Sequence, residues 1–172
     1  MSFSLEGQVA LVTGASRGIG RAVAMELGRS GAIVVGTATS DAGAAEIDAA
    51  LAEAGVKGAG MALNVTDAAA CEALVGEVEQ RFGAIGILVN NAGITRDNLA
   101  MRMKDDEWAT VLDTNLSAVF RMSKLVMRGM MKARAGRIVN ITSVVASAGN
   151  PGQANYAAAK AGVNAMTVGF AR

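Results

Sequence analysis

The chain has 172 residues, 52% hydrophobic but only 3% aromatic, which is enough for one α/β domain with a core of its own. It contains no histidine and a single cysteine, Cys71, so histidine-based metal sites, Ser–His triads and internal disulfides are excluded, and a reducing, cytoplasmic compartment is expected. The net charge of +1 conceals an asymmetry: residues 1–113 carry 8 basic and 15 acidic side chains, whereas residues 114–172 carry 8 basic and none acidic.

The N-terminus has no basic segment followed by a long apolar core, so no signal peptide is expected. The first strand is predicted near residues 8–13, where Val9-Ala10-Leu11-Val12 forms an apolar run suited to a buried parallel strand. It runs into Gly14-Ala15-Ser16-Arg17-Gly18-Ile19-Gly20 and then into a helical pattern over 18–30. Strand, glycine-rich turn and helix present free backbone N–H groups and a positive helix end to a pyrophosphate. The spacing is Gly-x-x-x-Gly-x-Gly rather than the commoner Gly-x-Gly-x-x-Gly. Further strands are predicted near 32–37, 58–64, 85–90 and 136–142. Helices are predicted near 42–55, 67–82, 104–132 and from 153 onward. This alternation implies right-handed βαβ crossovers and a parallel sheet covered on both faces. No Pro-rich linker divides the chain, so residues 1–172 read as a single dinucleotide-binding domain. Residues 138–159 are uncharged, but Asn140, Ser143, Asn150, Gln153 and Asn155 make a membrane span implausible.

Tyr156 and Lys160 stand four residues apart and share a face on a helix. A free phenol, with a pKa of about 10, is a poor acid–base catalyst, and a nearby ammonium favours its phenolate. Alone the spacing also fits an ordinary surface pair. Together with Thr13-Gly14-x-x-x-Gly18-x-Gly20, Asn90-Asn91-Ala92-Gly93, Asn115 and Ser143, in that order, it resembles the short-chain dehydrogenase/reductase family across essentially the whole chain. Residues 90–98, 103–108 and 149–156 resemble one branch, the 3-oxoacyl-[acyl-carrier-protein] reductases of fatty acid synthesis.

The resemblance implies a Rossmann-type doubly wound parallel sheet and a catalytic set of Asn115, Ser143, Tyr156 and Lys160. NADPH would deliver hydride to the C3 carbonyl of a 3-oxoacyl thioester while Tyr156 protonates the oxygen. Ser143 would bind the carbonyl, Lys160 would hold the nicotinamide ribose, and Asn115 would hold a proton-relay water. Gly14, Ala15, Ser16, Arg17, Gly18, Ile19 and Gly20 would cradle the phosphates. Asn64 and Val65 would meet the adenine edge, and Asn91, Ala92 and Gly93 its ribose side. NAD-preferring folds place an acid at the end of the second strand, and Ile33-Val34-Val35-Gly36-Thr37-Ala38-Thr39-Ser40 has none. Arg17 and Thr39 are instead suited to a 2′-phosphate, so NADP(H) is the expected cofactor. Asp41 is expected to cap the following helix.

The basic residues Arg121, Lys124, Arg128, Lys132, Arg134 and Arg137 read either as solvated helix-end charges or as a patch steering an acidic partner such as acyl carrier protein. Nucleic acid is disfavoured because no aromatics interleave with them. Methionine-rich and alanine-rich faces (Met122, Met127, Met130 and Met131; Ala157, Ala161 and Ala165) predict a homodimer or a tetramer built from two. Phe170-Ala171-Arg172 lies inside a helical pattern with no stop signal. Family members are longer, so the expectation is a sheet missing its last strands, with the fifth strand at the edge and the substrate site open. Acetoacetyl-CoA reduction, general carbonyl reduction and a catalytically silent dinucleotide-binding role stand as alternatives.

Overall fold

A computed structural model describes residues 4–172. Five strands form one parallel sheet: β1 (Val9–Val12), β2 (Ile33–Ala38), β3 (Gly58–Ala62), β4 (Ile85–Asn90) and β5 (Arg137–Asn140). Their order is β3-β2-β1-β4-β5. The chain winds outward from β1 to β3, crosses the centre, and winds outward again through β4 and β5. This is the doubly wound, Rossmann-like arrangement, with its switch point between β1 and β4.

Among the described residues five α-helices connect the strands, α1 (Gly18–Arg29), α2 (Asp41–Glu53), α3 (Ala68–Phe82), α4 (Asp105–Leu112) and α5 (Ala118–Ala133), and two follow β5, the short α6 (Val145–Ala148) and α7 (Ala154–Phe170). Successive strand residues point to opposite faces, and each face has its own core. Val9 and Leu11 pack with Leu74, Val78, Met122 and Val126 of α3 and α5. Ala10 and Val12 pack with Ala24 of α1 and Ile47 and Leu51 of α2. No helix among the described residues is long and apolar enough to cross a membrane.

Three expectations need correction. The helix expected over 104–132 is two helices separated by a π-helical turn, Asp113–Ser117. Asn115 lies in that turn, fully buried, with its amide bonded to the backbone of Ile94. The wider turn admits a polar residue that a regular helix would carry poorly. Asp41 does not cap α2; it is the first helical residue, and the Ser40 hydroxyl accepts from the Gly43 N–H at 3.2 Å. The methionine stripe is divided, because Met122 and Met130 belong to the core while Met131 is 72% exposed. A short helix, α6, also forms where none was predicted.

β5 is one edge of the sheet, opposite β3, and Val139 on it is 45% exposed. Beside it runs a groove of about 710 Å³ lined by Met130, Met131, Gly136, Ile138, Asn140 and Phe170. The groove lies away from the catalytic set expected above.

Candidate active site

Parallel strands deliver all their C-terminal ends to one side of the sheet, and the residues singled out by sequence lie on the loops there. Thr13, the residue after β1, is buried and acts as a hub. Its hydroxyl donates to the Val89 carbonyl at 3.4 Å and accepts from the N–H groups of Asn91 (3.0 Å) and Ala92 (3.1 Å). The Asn91 side chain returns to the glycine turn, donating to the carbonyls of Thr13 (3.0 Å) and Gly14 (2.9 Å). Thr37 of β2 closes the other side, its hydroxyl accepting from the Gly14 N–H at 3.3 Å.

Gly14 has a φ of +67°, a left-handed conformation that a side chain would strain. Gly20 is needed for a different reason: a Cβ there would run into the Gly14 carbonyl and the Asn91 amide. The turn is thereby folded tightly against the first residues of α1. That helix begins after Arg17, has no side-chain cap and carries no acid in its first turn. Its leading N–H groups are left without a side-chain acceptor and its positive end without a compensating acid, as suits binding of an anionic group. Ala15 is buried and Ser16 half-buried, while Arg17, Gly18 and Ile19 are exposed around this helix end. Thr39, just beyond β2, is exposed as well.

Past β3, Asn64 is exposed and Val65 is buried. Past β4, Gly93 lies against the Asn115 carboxamide, close enough that a Cβ would clash with it. Asn115 accepts from the Ile94 N–H at 3.0 Å and donates to the Ile94 carbonyl at 2.8 Å, fastening the loop to the π turn.

Past β5, the Ser143 hydroxyl accepts from the Val145 N–H at 3.2 Å at the start of α6. Tyr156 is half-buried on the first turn of α7, with the Lys160 ammonium 5.7 Å from its ring centroid. Lys160 is 4% exposed and donates to the Ile141 carbonyl at 2.6 Å, tying α7 to the end of β5. Burial pushes its pKa down from the ordinary lysine value. The chemistry available is an anion cradle at the switch point, with a phenol, an ammonium and a hydroxyl on the neighbouring loops.

Two sets of contacts were not legible in the sequence. Thr13 belongs to the glycine motif and Thr37 to the second strand run, but only the paired strands bring their hydroxyls to the turn. Asn155 is fully buried beside Tyr156 and donates to the Arg96 carbonyl at 2.9 Å, while its own oxygen accepts from the Tyr156 N–H at 2.7 Å. Asn98 N–H to Gly152 carbonyl (2.9 Å) and Gln153 to Asp97 (3.0 Å) add to this strap between the loop after β4 and the start of α7. An asparagine immediately before Tyr156, in a run that otherwise reads as a helix, was the available signal. Cys71 is also buried, and desolvation raises its thiol pKa against the opposing pull of Arg121, as suits an inert core residue.

The short chain dehydrogenase family model matches residues 8–172. This chain belongs to that family. Among curated dehydrogenase relatives, the 3-oxoacyl-[acyl-carrier-protein] reductase FabG of Vibrio harveyi is 62% identical over 98% of this chain and 68% of its own length. The proteins of the same name from Pseudomonas aeruginosa and Escherichia coli are each 59% identical over the same shares. A solved Sinorhizobium meliloti structure, described as a short-chain alcohol dehydrogenase, superposes with a TM-score of 0.94 at 35% identity, covering 99% of this chain and 68% of that one. The chain thus spans about two thirds of the length of these dehydrogenases.

Proposed function

We propose that this protein reduces a 3-oxoacyl-[acyl-carrier-protein] to the 3-hydroxyacyl thioester in fatty acid biosynthesis, using NADPH. Identity of about 60% to reductases of that name over nearly the whole chain carries the reading. Residues 1–172 act as one dinucleotide domain that also holds the catalytic residues. The diphosphate fits the uncapped start of α1, with Gly14, Ala15, Ser16, Gly18, Ile19 and Gly20 around it. Asn64 and Val65 border the adenine, and Ala92 and Gly93 its ribose. Asn91 serves by holding the turn, since its side chain is engaged with Thr13 and Gly14.

Bound there, the cofactor supplies a hydride to the C3 carbonyl carbon. The carbonyl π pair moves onto oxygen, and Tyr156 gives that oxygen its proton. General acid catalysis of this kind contributes about 10²–10⁴-fold. Ser143 donates a hydrogen bond to the same oxygen and stabilises its growing charge. Lys160 holds the nicotinamide ribose and keeps a positive charge beside Tyr156. Asn115 is engaged with Ile94 at both ends of its amide, so it acts by fixing the loop and the π turn.

Arg17 and Thr39 meet the 2′-phosphate, and no acid on β2 repels it. The all-basic segment after residue 113 draws the acidic carrier protein. Copies associate through α5 and α7, whose exposed Phe120 and Phe170 rings lie 6.3 Å apart. The lone buried Cys71 suits a cytoplasmic setting.

Loss of NADPH absorbance with acetoacetyl thioesters of carrier protein and of CoA tests the reading. NADPH is expected to bind more tightly than NADH, and Arg17→Ala should weaken NADPH about tenfold while leaving NADH nearly unchanged. NADH binding equal or better overturns the cofactor preference. Dinucleotide binding without turnover would favour a silent binding module.

A further inference from the structure

The turn after β3 is held by a residue 56 positions away. The Asn64 carboxamide oxygen accepts from the Thr66 N–H (3.1 Å) and hydroxyl (2.9 Å), closing the turn on itself. The Asn64 carbonyl accepts from the Asp67 N–H at 3.0 Å. A planar trans peptide then aims the Val65 N–H the opposite way, and that N–H has no partner among the described residues. The next peptide is fixed from the other side. Its carbonyl, that of Val65, accepts from the Arg121 guanidinium at 2.8 Å and from the Cys71 thiol at 3.5 Å. With both peptide planes held, the direction of the Val65 N–H is set.

Arg121 rises from α5 with its side chain 25% exposed, and its second nitrogen lies 3.6 Å from the Asp113 carboxylate. Asp113 opens the π turn that carries Asn115. One guanidinium therefore ties the turn after β3 to the turn on the catalytic side. A charge-assisted bond in a partly desolvated place is among the stronger ones available to a loop.

We propose that Arg121 is a positioning residue for the adenine half of the dinucleotide: by pinning the Val65 carbonyl it presents the Val65 N–H to a ring nitrogen of the adenine edge. The inference rests on the dinucleotide reading above.

Calorimetric titration with NADPH, with adenosine 2′,5′-bisphosphate (the adenine half alone) and with reduced nicotinamide mononucleotide tests it. Arg121→Met should weaken NADPH and the bisphosphate by the same factor, about tenfold, the loss of roughly one charge-assisted bond. Mononucleotide binding should change less than twofold, and KM for NADPH should rise more than kcat falls. Arg121→Gln, which keeps an N–H donor, should lose less than threefold for the bisphosphate. Bisphosphate binding within twofold of wild type in Arg121→Met overturns the assignment. Equal weakening of all three ligands also overturns it, because that marks a general loss of structure. Should Arg121→Met not fold, Arg121→Gln decides, and a bisphosphate loss as large as tenfold goes against the inference. A wild-type protein that binds neither NADPH nor the bisphosphate overturns the dinucleotide reading itself.

Discussion

β1 and β5 are both four-residue parallel strands, yet every residue of β1 is buried and none of β5 is. β1 has β2 and β4 as neighbours and a helical layer on each face, whereas β5 has β4 alone. The loops that follow them inherit this difference. The glycine turn after β1 is fastened by Thr13, Thr37 and Asn91, contributed by three strand ends. The loop carrying Ser143 follows an edge strand and gains its fixation from α7, through Lys160 on the Ile141 carbonyl and Asn140 on Thr167 at 2.8 Å. The glycine turn and the loop carrying Ser143 thus differ in how many elements determine them.

The largest expected effect separates the two regions by function. Tyr156→Phe removes one hydroxyl from the α7 side and should cost about 10²–10⁴-fold in reductase turnover. NADPH affinity, which depends mainly on the β1 side, should fall far less. Titration and kinetics on the same preparation check this, and a variant retaining most of its activity would refute Tyr156 as the acid.

Stability should show the contrast next. Val12→Ala, at a site with no exposure, should destabilise by about 2 kcal/mol, while Val139→Ala on the open edge should stay within about 0.5 kcal/mol. Urea midpoints of the two variants measure the difference. Equal losses would mean that β5 is covered in solution by something that packs along the groove.

The smallest effect concerns Lys160. Its folded pKa is lowered by burial, below the value of about 10.4 expected in the unfolded chain. Between those two values the unfolded state binds more protons, so stability should rise with pH, by at most about 1.4 kcal/mol per pH unit. Below the folded value both states are protonated and the contribution is constant and least favourable. Lys160→Met should remove that rise from a series of urea midpoints up to pH 10. An identical pH dependence in both proteins would show that the ammonium is better solvated than its burial indicates.

Local chemistry made much of this legible from the amino-acid order. Strand runs such as Val9–Val12 are apolar and β-branched, the glycine turn needs residues without Cβ, and Tyr156 and Lys160 fall on one helical face. Each depends on neighbours within a few positions, so sequence by itself determined the α/β class, the family and which residues gather at the strand ends. What tertiary structure alone decided involves partners far apart. The Asn115 amide in the π turn finds both its donor and its acceptor on the backbone of Ile94. Ser40 rather than Asp41 caps α2, because backbone geometry brings its hydroxyl onto the Gly43 N–H. Arg121 on Val65, Asn155 on Arg96 and the burial of Lys160 follow from helices laid against a finished sheet. Their energies come from desolvation and from hydrogen bonds between elements, and periodicity along the chain encodes neither.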